Sequence, residues 1–181
     1  MKFKFWGVRG SIPAPGPQTV RYGGNTTCIE VRTNRDARLV LDCGTGIFPL
    51  GQSLAPEESV EVHVFITHSH WDHINGLPMF EPLFDSRTRC HVYGAAADGV
   101  DRGINHVFDV QFQNTYFPIT EAQLSASIDF RTLSAGEVFM IEDARVEAVL
   151  MNHPVTNFGY RIDCGGKSLF LPENRVGSWH V

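Results

Sequence analysis

Six consecutive residues, His68-Ser69-His70-Trp71-Asp72-His73, gather three imidazoles and a carboxylate directly behind an apolar run at 60–67 (VEVHVFIT). In an extended chain, residues two apart project to the same side. His68 and His70 can therefore converge on one cation. If the chain then bends into a helical turn, Asp72 and His73 swing toward a neighbouring position, and one loop supplies two adjacent metal sites. Neutral imidazole and carboxylate suit Zn²⁺, Mn²⁺ or Fe, and the softer thiolates are absent from the motif. An isolated histidine such as His63, His91 or His106 is ordinarily a surface residue or a satisfied core residue. Three imidazoles side by side are different, because packing them is costly unless something binds or neutralises them.

The elements that must position this motif are mostly strands. The apolar, β-branched run at 60–67 reads as a central strand. Before it, 2–6 alternates Lys and Phe as a half-buried strand, and 7–25 is a Gly/Pro/Ser-rich loop. Strands at 27–32 and 38–42 form a hairpin around TNRDA, and DCGTG then turns into a short helix at 47–54. Beyond the motif, 78–84 reads as helical, 90–93 as strand and 95–106 as helix, with 107–120 an aromatic loop over the body. From 127 onward the pattern is all strand: 128–133, 137–141, 145–151, 158–163 and 167–171. Strands at both ends with helices inserted between them indicate two sheets layered with helices.

Composition sets outer limits. With 181 residues the chain makes one domain, and 17 Gly with 10 Pro favour a turn-rich α/β or α+β protein over a helical bundle. A formal net charge of −5 argues against a grip on long nucleic acid. A small anionic substrate remains compatible, since bound cations supply local positive charge. Cys28, Cys43, Cys90 and Cys164 form no CxxC pair and read as reduced core thiols. The start, MKFKFWGVRG, has no apolar run of signal-peptide length, and no stretch is long enough for a membrane span, so the cytoplasm is the default expectation.

The segment THSHWDHINGLP resembles the signature loop of the metallo-β-lactamase superfamily. FWGVRGSIPAPGPQTVRYGGNTTCIEV and LVLDCGTGI resemble the opening of a hydrolase branch close to the tRNA-maturing endonuclease RNase Z, a branch that includes phosphodiesterases of small cyclic phosphates. NTYFPIT and FGYRI fit the same pattern, so the resemblance covers essentially the whole chain. It implies an α/β (α+β) fold, an αββα sandwich with metals at one edge of its two sheets. It implies further that His68 and His70 bind a first metal and Asp72 and His73 a second. His153, in the turn MNHP, would be the third ligand of the first. Asp42 would orient ligands through hydrogen bonds, beside the plainer reading of a turn-forming carboxylate. Asn25 in GGNTT either lines the site or serves the turn.

The chain departs from that pattern twice. Relatives carry a bridging Asp after the strand that here reads SLFLPENRV. Matching the local pattern of aliphatic strand, acid and Asn favours Glu173, whereas counting from Gly166 selects Asn174, which brings no negative charge. Relatives also continue for tens of residues and supply a final histidine, for which His180 is the remaining candidate. The expectation is a single domain over 1–181, shortened after the strand at 167–171 and incomplete in its second half. Truncation, a completing partner chain and a natural short form stay open, and self-association or a second polypeptide is expected to cover the unfinished sheet. The activity implied is metal-dependent hydrolysis, with a phosphodiester favoured, through metal-activated hydroxide. Asp72 would be both ligand and catalytic proton acceptor, with one or two ions of zinc, or else Mn or Fe. A thioester or lactam hydrolase of the same fold is the second reading, and a catalytically silent metal-binding or partner-completed module is the third.

Overall fold

The Lys/Phe alternation at the N-terminus forms β1 (Lys2–Gly7), antiparallel to β2 (Cys28–Arg32), which turns back into β3 (Arg38–Leu41). From β3 the chain crosses over through α1 (Ile47–Gln52) to β4 (Glu61–Phe65), which lies parallel to β3. A single turn, α2 (Trp71–Ile74), follows β4, and β5 (Arg89–Gly94) adds in parallel. The next crossover carries α3 (Asn105–Gln111) and delivers β6 (Ser127–Thr132), completing a six-stranded sheet in the order β1-β2-β3-β4-β5-β6. An antiparallel sheet, β7 (Val138–Ile141), β8 (Ala144–Leu150), β9 (Phe158–Cys164) and β10 (Lys167–Leu171), stacks on it in the order β10-β9-β8-β7. This computed structural model describes residues 1–54, 59–97 and 102–172.

Two cores explain why β4 is apolar at Val62, Val64 and Phe65, while Glu61 and His63 sit at its less buried start. Val62 and Val64 face Ile47, Leu50, Phe80 and Phe108 on the helical side, whereas Phe65 faces the second sheet. At its carboxyl end the strand is buried on both faces and carries only apolar side chains. Between the sheets, Phe65 stacks on Tyr93 with centroids 4.7 Å apart and meets Tyr160 at 5.1 Å. The buried Tyr160 hydroxyl donates to the Ile66 carbonyl at 2.7 Å, tying β9 to the end of β4. Truncating Phe65 to Ala would cost about 3–5 kcal/mol through lost contact and cavity formation.

Several expected elements come out differently. The segment 78–84 is two 3₁₀ turns, Leu77–Met79 and Glu81–Phe84, because Pro78 and Pro82 withhold the amides a continuous helix needs. Of the helix expected at 95–106, residues 98–101 lie outside the described residues and the described part before Asn105 is not helical; α3 starts at Asn105 and takes in the first residues of the supposed loop at 107–120, burying Phe108. Both longer helices pack on the six-stranded sheet. Among the described residues none covers the outer face of the four-stranded one, so the layers on view are α, β, β. No helix among them is long and apolar enough to cross a membrane. β3 and β4 end side by side in the middle of the larger sheet, and ligands of parallel sheets gather outside such carboxyl ends.

Candidate metal centre

The bend that the motif requires occurs between His70 and Trp71. His70 is extended, with φ −63° and ψ 146°, and α2 begins at the next residue. His68 and His70 therefore project together, with His68 Nε2 3.0 Å from His70 Nδ1. The link between β8 and β9 brings in His153, whose ring centroid lies 4.4 Å from that of His68 and 4.9 Å from that of His70. One nitrogen from each of these three residues falls within 4.8 Å of the other two. The turn of α2 carries Asp72 and His73 to the adjoining position, with His73 Nε2 3.5 Å from Asp72 Oδ2.

A buried carboxylate organises the imidazoles. Asp42 adopts a left-handed φ of 61° just past β3, a conformation Asp tolerates better than most residues. Its Oδ1 accepts from the Thr67 amide at 2.8 Å, and the Thr67 hydroxyl donates to the same carboxylate at 3.0 Å. Its Oδ2 accepts from His73 Nδ1 at 2.7 Å. With its proton given to Asp42, the Thr67 hydroxyl accepts from His68 Nδ1 at 3.0 Å. Both rings are thereby held with the proton on Nδ1 and the lone pair on Nε2, the atom that points into the cluster.

The backbone around α2 is clamped with equal care. The Cys43 amide donates to the His73 carbonyl and the Gly76 amide to the Cys43 carbonyl, both at 2.8 Å. Gly44 has no side chain because a Cβ there would stand 2.3 Å from the Asp72 carbonyl oxygen. Ser11, from the long N-terminal loop, donates its amide to Asp72 Oδ2 at 2.6 Å.

The donor set fits a first-row divalent cation. Three convergent imidazole nitrogens match a catalytic zinc site that keeps one position open, and the Nδ1–H bonds of His68 and His73 are the outer support such ligands need. Of the residues singled out in the sequence, His68, His70 and His153 come together, and Asp72 and His73 stand beside them. Glu173, Asn174 and His180 lie outside the described residues. Asp42 is an orienting group as well as a turn residue. The Asn25 side chain accepts from Thr45 at 3.2 Å while its carbonyl takes the amides of Val8 and Arg9, which is turn chemistry. Thr67 was overlooked although it adjoins the motif, and the contact from Ser11 is a backbone one with no sequence signal. His63 and His91 are not isolated: their rings stack at 4.8 Å near the opposite end of β4. Burial and the nearby His91 charge push His63 down to about 4. His106 lies 3.3 Å from the Arg102 guanidinium.

Residues 37–172 match the family model described as Beta-lactamase superfamily domain. The chain is 34% identical to Ribonuclease BN of Erwinia tasmaniensis over 143 residues, which covers 75% of this chain and 42% of that protein. It spans about half the length of the curated relatives it matches. Among solved structures, human tRNase Z, short form, superposes with a TM-score of 0.65 at 17% identity, over 98% of this chain and 70% of that one. Zn²⁺-bound PqqB from Methylobacterium extorquens gives a TM-score of 0.58 at 17% identity, over 93% of this chain and 61% of that one.

Proposed function

The chain belongs to the metallo-β-lactamase superfamily, and on that premise we propose that it is a metal-dependent hydrolase of phosphodiesters. The observation that carries the proposal is the convergence of His68, His70 and His153 beside Asp72 and His73, with Asp42 setting the tautomers of two of the rings. His68, His70 and His153 would hold a first ion, Asp72 and His73 a second, with Glu173 the proposed bridge. Zinc is the proposed metal, in keeping with the imidazole-rich donor set and with the zinc in the PqqB structure. Such an ion, when bound, acidifies a coordinated water to a pKa near 7 and polarises a phosphoryl oxygen.

The chain's own groups do the rest. Asp72 is held by the Ser11 amide at Oδ2, which also faces His73, so Oδ1 is the oxygen that takes a proton from the attacking water. Asp42 and Thr67 keep His68 and His73 from rotating. The expectation against long nucleic acid rested on a net charge of −5. That average says little about one edge of a sheet where cations gather, and two of the similar proteins are named as a ribonuclease and a tRNase. Those names favour a nucleotide diester, RNA included.

The test is a panel on zinc-loaded protein: bis(p-nitrophenyl) phosphate, a short RNA, a thioester and a lactam. Chelator-sensitive turnover of a diester, lost in Asp72→Ala, is expected. Thioester or lactam turnover with both diesters untouched would overturn the assignment.

A further inference from the structure

Glu61 and His63 project from the same face of β4, two residues apart, and His63 stands in register with His91 on β5. His91 in turn stands in register with Asp129 on β6. A ligand atom from each of Glu61, His63 and His91 falls within 4.8 Å of the other two. This group is distinct from the centre at His68, which lies five residues along the chain, roughly 16 Å at extended spacing.

We propose that Glu61, His63 and His91 form a second transition-metal site, which staples β4 to β5 at the end of the sheet away from the first. Each imidazole already has the partner a metal ligand needs on its other nitrogen. His63 Nδ1 lies 3.0 Å from the Tyr93 hydroxyl, and His91 Nδ1 lies 3.4 Å from Asp129 Oδ2. Donation to these oxygens leaves both Nε2 lone pairs for an ion, the arrangement that orients zinc-bound histidine. His91 Nε2 is 3.3 Å from Glu61 Oε1, a contact in which a metal can replace a proton. The rings are stacked 14° from parallel with their lone pairs in the ring planes, so binding requires each to tilt toward the other until the nitrogens reach the roughly 3.3 Å spacing of zinc bonds of 2.0–2.1 Å. Glu61 and Asp129 together balance a divalent charge, and water would fill the remaining position.

The experiment is a Zn²⁺ titration of the whole chain, read by equilibrium dialysis and by histidine ¹H–¹⁵N NMR. The parent should show zinc-dependent shifts of the His63 and His91 signals. His91→Asn should remove one class of zinc sites, and Glu61→Gln should weaken it about tenfold. Diester turnover should be unchanged in both. If the His63 and His91 signals stay fixed up to millimolar Zn²⁺, or if a folded His91→Asn binds zinc as the parent does, the site does not exist. Should His91→Asn fail to fold, the NMR of the parent decides alone.

Discussion

Asp42 Oδ2 lies 2.7 Å from His73 Nδ1, and through Thr67 the same carboxylate reaches His68, so one buried acid presets two of the rings that face the proposed metals. Asn at this position tolerates the left-handed backbone but offers only one acceptor oxygen. Asp42→Asn is expected to fold and to lose about 10–100-fold in zinc affinity. In the metal-free protein, the ¹⁵N shifts of His73 should show the Nδ1–H tautomer losing its dominance. Unchanged zinc affinity and an unchanged tautomer would remove the orienting role.

The two ligand groups should separate by mutation. His68→Ala and His153→Ala should each empty the first position, whereas Asp72→Ala should chiefly reduce binding at the second and turnover. A site saturated at 100 times its Kd adds about 2.7 kcal/mol of stability. Zinc should therefore raise the parent's melting temperature, and raise it less in His68→Ala. Elemental analysis of each variant settles occupancy directly.

Gly44→Ala tests how tightly α2 is seated. The added Cβ would sit 2.3 Å from the Asp72 carbonyl oxygen, and backbone cannot yield as a side-chain tip does. A cost of about 1–3 kcal/mol is expected, together with weaker metal binding, because relief requires moving Asp72 and His73. A variant that melts and binds zinc like the parent would show that the clamp is slack.

The central strand, the motif and the hairpin were legible because each rests on local pattern: an apolar run, a spacing of two, a polar turn. Long-range contacts were not. Ser11 reaches Asp72 across 61 residues by a backbone amide, and a backbone group leaves no mark in residue type. His63 and His91 read as isolated because only the parallel register of β4 with β5 makes them neighbours. The helix at Asn105–Gln111 was displaced for a related reason. Its aromatic residues suggested an irregular loop, whereas Phe108 is buried against the sheet and stacks on Phe130.

The cysteines provide the last prediction. All four are free thiols and buried, and burial raises Cys28 and Cys43 well above the ordinary range and Cys90 to about 12. The thiolate is the reactive form, so at pH 8 Cys90 stays in its unreactive thiol form even if reagent could reach it. Cys43 is further engaged, its thiol donating to the Ile74 carbonyl at 3.7 Å behind the turn of α2. An aromatic disulfide reagent should therefore label these three residues only as fast as the protein unfolds, and added denaturant should release them together. Rapid labelling of Cys43 in the native protein, with Cys28 and Cys90 still protected, would mean that the loop behind His73 opens locally and that the proposed ligands Asp72 and His73 are not held rigid.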